Sequence, residues 1–200
     1  VTYGFGPHGS GLYETGAKVE EGGDHEFVPD VVITQGDIIK GRGWTIECLH
    51  TPGHTSNHIC YALREESSLF SGDHVMGWST TVISPPDGHM GSYMSSLKYL
   101  SERQDDKIYY PTHGAPIVDP NPFVRALITH RKMREGQIIS LLRTGSNTIS
   151  EMVPVMYKGL DSRLIPAARL SVFAHVIDLA EQNRIICEGE LAIDEVFDLI

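Results

Sequence analysis

Three short polar segments of the sequence each place a histidine or an aspartate beside a glycine, directly after an apolar run. The segments span residues 49–55, 70–74 and 110–114. They carry His54, Asp73 and His113. Glycine permits tight backbone turns, so a rigid sheet could project these side chains from its edge. Neutral imidazole together with carboxylate suits zinc, with manganese or iron as alternatives.

A simpler explanation is available for each of these residues when it is considered alone. A histidine or aspartate at the end of a strand more often makes a local hydrogen bond than binds a metal. Local bonding, or a hydrogen bond behind a metal ligand, also explains the histidines His50, His58, His74, His89 and His175. No Ser-His-Asp arrangement is evident, so we interpret three hydroxyl residues as turn formers rather than nucleophiles: Thr51, Thr55 and Ser71.

The first part of the chain is predicted to be a meandering sheet that continues into an α/β layer. Apolar runs bounded by turn residues predict strands at 27–33, 38–39, 44–49, 59–63 and 68–71. Tyr93, Leu97 and Leu100 then recur at helical intervals, and a strand is predicted at 108–110. Strand, helix and strand in this order are typical of an α/β fold.

The last part of the chain is predicted to be helical, with a β-hairpin at its end. A helix from Phe123 is expected to stop at 144–145, and a second begins at Thr148 with Glu151 in a capping-box pattern. Pro166 opens a third helix that ends near Asn183, and a hairpin follows with strands at 184–187 and from 190 onward. Three helices and a two-stranded wing outline a winged helix-turn-helix. We place the domain boundary between residues 122 and 123.

Composition narrows the class of protein further. With 200 residues, of which 40% are hydrophobic, the chain can bury a substantial core as one large or two small domains. The net charge is −10, and residues 1–122 hold 16 acidic against 7 basic side chains. That acidity disfavours indiscriminate binding of nucleic acid by the first part.

The sequence also predicts the cellular location of the protein and the redox state of its cysteines. We find no apolar stretch of the roughly 18 residues needed to span a bilayer and no signal-peptide pattern. Cys48, Cys60 and Cys187 lie in apolar runs without C-x-x-C spacing, which indicates free thiols rather than a disulfide framework. A cytoplasmic protein without a membrane partner is therefore expected.

The three polar segments resemble, in order and spacing, the later metal motifs of the metallo-β-lactamase superfamily. Stretches 70–82, 91–97 and 110–114 are similar to its lactamase-beta-two-like group, whose winged-helix tail begins with a His-Arg-containing helix like 129–135 here. The resemblance implies an α/β fold, a partial αββα sandwich over 1–122 followed by a winged-helix domain over 123–200. It also implies that His54 binds a first metal, Asp73 bridges two metals and His113 binds the second.

The same resemblance implies a metal-dependent hydrolase, with two zinc ions in the full-length parent and manganese or iron as alternatives. A hydroxide held between the ions would attack an ester, thioester or phosphodiester of a small-molecule substrate. An aspartate at position 73, where antibiotic-hydrolysing members have a cysteine, is similar to the hydrolase, thioesterase and nuclease branches. Two alternatives stay open: an endoribonuclease of the same fold, with RNA as its partner, and a non-catalytic winged-helix binding module. A homodimer is a further alternative for assembly.

One motif of the superfamily is missing from this chain. The His-x-His-x-Asp-His sequence that supplies the remaining ligands does not occur, and the nearest string, 22–27, lacks its spacing, so Asp24 and His25 are not assigned. We therefore expect a longer parent protein, with the general acid in the missing motif, and weak or no activity from residues 1–200 alone. Catalytic residues are left unassigned.

A basic cluster occupies the first helix of the predicted winged-helix domain. Its members are Arg125, His130, Arg131, Lys132 and Arg134. The usual interpretation is the solvated face of a helix, and the functional alternative is contact with RNA phosphates. An endoribonuclease would need a basic groove between the sheet edge and the helix that starts near Phe123.

Overall fold

The computed structural model describes residues 1–6 and 27–200. Asp24 and His25 lie outside the described residues. Near the start, β1 (Tyr3–Gly4) pairs in parallel with β2 (Val31–Val32). The predicted strand at 27–33 is therefore wrong in its extent. Pro29 has no backbone N–H to donate, which disfavours a longer pairing.

A six-stranded sheet forms the centre of the first part. Its strands, in spatial order, are β3 (Ile38–Gly41), β4 (Trp44–His50), β5 (Ile59–Leu63), β6 (Ser68–Gly72), β7 (Ile108–Pro111) and β8 (Ile117–Val118). Neighbours from β3 to β6 are antiparallel, which confirms the predicted meander. β7 pairs in parallel with β6, and the chain crosses between them through α1 (Met90–Glu102). It follows that β4, β6 and β7 run in the same direction and end at the same edge.

Alternate residues of the strands divide the sheet into two faces. The helix-covered face carries Leu49, Cys60, Leu69 and Tyr109 into a core that α1 completes with buried apolar side chains. The opposite face carries aromatic and aliphatic residues that stay exposed at 40%, 43%, 40% and 75%: Trp44, Phe70, Tyr110 and Val118. Among residues 1–6 and 27–200, the sheet therefore has one apolar face that helices cover and one that stays exposed, as half of a sandwich would.

Three helices and a small wing follow, as predicted. They are α2 (Pro120–Arg143), α3 (Ile149–Met156), α4 (Ile165–Glu181) and the antiparallel pair β9 (Ile185–Ile186) with β10 (Asp198–Leu199). The predicted return strand at 190 is wrong, because the chain first packs Leu191, Ile193 and Phe197 onto the helices. The wing therefore closes only at residue 198.

The long helix α2 belongs to two hydrophobic cores. Val124 and Leu127 pack against the sheet, whereas Ile138 and Leu142 pack with α3 and α4. A boundary between residues 122 and 123 stays a prediction, and the helix that starts at Pro120 physically joins the two parts.

The three cysteines are free thiols in the structure. Cys48 and Cys60 are buried free thiols and Cys187 is a partly exposed one. Burial raises the pKa of Cys60 to about 12, so this thiol stays protonated. Among the described helices, none combines the length and apolarity that crossing a membrane would require.

The predicted capping box at the start of α3 is present and gives a first test of the fold. Glu151 N donates to Thr148 Oγ1 over 3.3 Å, and Thr148 N donates to the Glu151 carboxylate over 3.0 Å. We expect Thr148→Ala to lower the free energy of unfolding by about 1 kcal/mol, because the N–H of Glu151 loses its acceptor. Thr148→Ser keeps the hydroxyl and should unfold within about 0.5 kcal/mol of the natural protein in urea. Equal losses for both variants would contradict the capping role.

A buried histidine in α4, His175, makes the stability of the fold depend on pH. Burial, and after it the charge of Arg131, lowers the pKa of His175 from 6.5 to about 3. In the unfolded chain the imidazole regains its ordinary pKa, so the unfolded state binds a proton first as the pH falls. The stabilising contribution is therefore complete above about pH 6.5 and is lost as the pH falls towards 3.

We expect His175→Leu to flatten this acid limb. The free energy of unfolding of the natural protein should fall by up to about 1.4 kcal/mol per pH unit more steeply than that of the variant, since only the natural protein carries this linked proton. Urea denaturation at intervals from about pH 8 to about pH 4 measures both slopes, which should coincide above about pH 7. Parallel curves over the whole range would show that His175 is not the group responsible.

Candidate metal centre

The three predicted ligands meet at the edge of the sheet where β4, β6 and β7 end. His54 lies in the loop after β4, Asp73 directly follows β6, and His113 follows β7. His54 Nε2 is 4.0 Å from Asp73 Oδ2, and His113 Nε2 is 3.5 Å from Asp73 Oδ1. The Asp73 carboxylate therefore stands between two imidazoles, with one oxygen facing each.

The orientation of the His54 ring is set by a backbone carbonyl. Nδ1 of His54 lies 2.7 Å from the carbonyl oxygen of Val82. Because a carbonyl oxygen only accepts, Nδ1 is the donor of this bond, and Nε2 is the ring nitrogen that faces Asp73. Histidines that bind metals in proteins commonly donate their other ring N–H in this way.

The carboxylate of Asp73 is only partly satisfied. Its Oδ1 is buried and has no hydrogen-bond partner among the described residues. A buried unpaired oxygen of this kind costs free energy and calls for an explanation, such as an ion or an ordered water. The backbone of Asp73 is better held, because the hydroxyl of Thr81 donates to its carbonyl oxygen over 2.7 Å.

The His113 loop approaches the segment after Asp73 so closely that both need glycine. Gly77 N donates to the carbonyl oxygen of His113 over 2.8 Å. A Cβ on Gly77 would lie 2.3 Å from the carbonyl oxygen of Ala115. Beside this contact, the Trp78 indole stacks near the His113 ring with centroids 6.0 Å apart, and 74% of Trp78 is exposed. An exposed aromatic surface therefore borders the candidate centre.

The loop that carries His54 is held against the start of α1. A Cβ on Gly53, whose φ is +141°, would lie 2.3 Å from the Cα of Tyr93. His89 N donates to the carbonyl oxygen of Gly53 over 2.8 Å, and Ser96 Oγ donates to that of Pro52. Position 53 therefore requires glycine, and α1 helps to place His54.

Three of the other histidines have hydrogen bonds or ring contacts that account for them, whereas His74 is fully buried and neither of its ring nitrogens has a hydrogen-bond partner among the described residues. His58 Nδ1 bonds the Thr51 hydroxyl at 2.9 Å, and burial lowers the pKa of His58 to about 3. Burial also holds the pKa of His74 well below its usual value. His50 stacks on Phe5, while His89 caps α1 and contacts Glu181 at 2.8 Å.

One sequence interpretation needs correction at this site, because it concerns a residue whose role depends on packing. Arg131 was expected on a solvated helix face, but it is 4% exposed and donates to the carbonyl oxygen of Thr81. Its spacing from Leu127 and Ile138 puts it on the buried side of α2, and this signal was overlooked. Thr81 itself carried no sequence signal that separated it from a turn former. Contact with RNA phosphates stays a prediction, now without Arg131.

The donor set fits part of a metal site. In the parts of the chain that the structure describes, no three or more His, Cys, Asp and Glu side chains are placed so that they could hold an ion together. The separations of 4.0 Å and 3.5 Å nevertheless approach the roughly 3.3 Å between two ligand atoms of one tetrahedral zinc. With the His54 ring oriented by Val82 and with Asp73 Oδ1 lacking a hydrogen bond among the described residues, the three residues fit a ligand set that further ligands would complete.

Comparison with known proteins gives a family match for each of the two parts of the chain. Residues 3–113 match the sequence model of the Metallo-beta-lactamase superfamily, and residues 148–193 match the Beta-lactamase associated winged helix domain. Atrochrysone carboxyl ACP thioesterase of Aspergillus chevalieri is 37% identical over 129 residues, which is 60% of this chain and 40% of that protein. Lactamase-like protein adaB of Aspergillus niger is 30% identical over 183 residues, 83% of this chain and 56% of that protein. The chain thus spans about half the length of these relatives.

Solved structures show the same fold. A metallo-beta-lactamase family protein from Thermus thermophilus superposes with a TM-score of 0.73 at 20% identity, over 88% of this chain and 56% of that one. A Beta-lactamase domain protein from Burkholderia ambifaria gives 0.71 at 19% identity, over 88% and 55%. With a family match over more than half of its residues, the chain belongs to the metallo-beta-lactamase superfamily and carries the winged helix domain associated with it.

Proposed function

We propose that this chain is part of a metal-dependent hydrolase that cleaves an ester or thioester bond. The observation that carries the proposal is the position of Asp73 between the Nε2 atoms of His54 and His113, at 4.0 Å and 3.5 Å. A carboxylate with one oxygen facing each imidazole is suited to two ions side by side. Zinc is the metal we favour, with manganese or iron as alternatives.

Each of the three candidate ligands would bind particular ions. His54 would ligate the first ion, His113 the second, and Asp73 both, while further ligands would complete the set. When bound, the ions would polarise the scissile carbonyl and lower the pKa of a water molecule towards neutral pH.

The chain's own side chains prepare this site before any ligand arrives. The Val82 carbonyl accepts from Nδ1 of His54 and so keeps Nε2 aimed at Asp73. His58 and His74 behind the site stay neutral because burial lowers their pKa values, so neither cancels the negative charge of Asp73. A carboxylate with neutral imidazoles favours a cation over an anion at this edge.

Two observations support an acyl substrate. A relative 37% identical over 129 residues bears the name Atrochrysone carboxyl ACP thioesterase. The exposed indole of Trp78, stacked near His113, offers an apolar surface on which an acyl chain could rest. A phosphodiester is less well supported, because residues 1–122 hold 16 acidic against 7 basic side chains.

The test is Asp73→Asn in the protein at its full natural length. We expect the natural protein to bind two equivalents of zinc and to hydrolyse an acyl coenzyme A thioester. Asparagine matches the shape of aspartate but lacks its charge, so metal content should fall and kcat/KM should drop by more than about 100-fold. Elemental analysis and thiol release measure the two quantities.

The control is Asp105→Asn, an exposed carboxylate before β7 and therefore at the opposite edge of the sheet. It should leave both quantities unchanged. A natural protein that binds metal but cleaves single-stranded RNA and not the thioester would favour the endoribonuclease alternative. A natural protein with no metal, even when zinc and manganese are supplied, would contradict the proposal and favour a winged-helix binding module.

A further inference from the structure

Two consecutive residues in the loop before α1 touch two of the three candidate ligands. The hydroxyl of Thr81 donates to the carbonyl oxygens of Asp73 and His74, over 2.7 Å and 3.0 Å. The carbonyl oxygen of Val82 accepts from Nδ1 of His54 over 2.7 Å. A displacement of the segment 81–82 would therefore disturb the Asp73 backbone and the His54 ring together.

Arg131, from the middle of α2, holds this segment from the other side. Its guanidinium donates to the carbonyl oxygen of Thr81 and lies over the Tyr93 ring, 5.4 Å from the centroid. The side chain is 4% exposed. Nε of Arg131 has no partner, and no carboxylate among residues 1–6 and 27–200 lies within ion-pair distance of it.

A buried guanidinium without an acid is an expensive way to stabilise a fold. Burial itself lowers the pKa of Arg131, which reports the cost of keeping the charge away from water. Apolar residues of similar volume in place of buried ionic groups often leave proteins equally or more stable. Unlike an apolar residue, Arg131 supplies a long, rigid hydrogen-bond donor that reaches the Thr81 carbonyl.

The backbone of Arg131 is itself well fixed. Val124 and Leu127 anchor α2 on the sheet core before it, and Ile138 and Leu142 anchor the helix in the second core after it. The guanidinium therefore extends from a support that belongs to both parts of the protein.

We infer that Arg131 is a positioning residue for the candidate metal centre. It clamps Thr81, and through the segment 81–82 it orients His54 and Asp73. This inference rests on the proposed function for its purpose, but the clamp is a property of the chain that can be tested without any metal.

The first readout is the tautomer of the His54 ring in the metal-free, full-length protein at about pH 8. Long-range proton–nitrogen spectra, assigned with His54→Gln, should show Nδ1 protonated in the natural protein. Arg131→Met and Thr81→Val should shift the ring towards the Nε2-protonated form, because the bond to Val82 is weakened. Thr81→Ser keeps the hydroxyl and should restore the natural spectrum.

The matched control is Arg134→Met. Arg134 lies on the same helix and donates to the Met156 carbonyl oxygen over 2.9 Å, so its bond is to α3 and not to the segment 81–82. Arg134→Met also removes a guanidinium from α2, but it should leave the His54 tautomer unchanged.

The second readout is the affinity for cobalt, followed by absorption spectroscopy. Loss of residues that orient metal ligands commonly weakens binding by about 10- to 100-fold, and we expect that range for Arg131→Met and Thr81→Val. Arg134→Met should bind as the natural protein does.

Folded Arg131→Met and Thr81→Val proteins with the natural His54 tautomer would overturn the inference. If Arg131→Met does not fold, as judged by circular dichroism, Arg131→Lys takes its place, because lysine keeps the charge but lacks the planar fork that reaches the Thr81 carbonyl; a natural His54 tautomer in folded Arg131→Lys would overturn the inference. A natural protein that binds no cobalt, while the tautomer shifts in both variants, would refute the proposed function and support the clamp.

Discussion

The parallel pairing of β6 with β7 is the constraint on which the candidate centre depends. Antiparallel neighbours end at opposite edges, whereas these two strands deliver Asp73 and His113 to one edge and within 3.5 Å of each other. A parallel pair needs a crossover, and α1 supplies it on the face of the sheet that becomes the core. The same helix then supports the loop of His54 through the contact of Gly53 with Tyr93.

Electrostatics and packing reinforce this geometry. Burial lowers the pKa values of His58 and His74 behind the site, so these two imidazoles add no positive charge beside Asp73. Arg131 is a buried cation of α2, and it donates its hydrogen bond to the Thr81 carbonyl rather than to Asp73. A positive charge placed directly on Asp73 would have occupied the oxygens that a metal requires. The arrangement separates support of the loop from chemistry at the carboxylate.

Local signals in the sequence predicted much of this structure, and two features that they did not predict depend on contacts between distant residues. The capping box of Thr148 and Glu151 was predicted correctly because its two partners are three residues apart. The convergence of His54, Asp73 and His113 could be expected from strand ends. The return strand of the wing could not, because it depends on Phe197 reaching a core built mostly from distant helices. The role of Thr81 could not be predicted for the same reason, since its partner Arg131 lies 50 residues away in the sequence.

The uncovered face of the sheet has a consequence for any preparation of this chain by itself. Trp44, Phe70, Tyr110 and Val118 present a broad apolar surface to water, with Phe70 and Tyr110 in ring contact at 5.7 Å. Large apolar surfaces drive association, and sheet faces of this kind promote aggregation when they meet. Such a preparation would gain free energy by self-association unrelated to its chemistry. An oligomer seen with residues 1–200 should therefore be examined for burial of these aromatic rings before it is accepted as the assembly that operates in the cell.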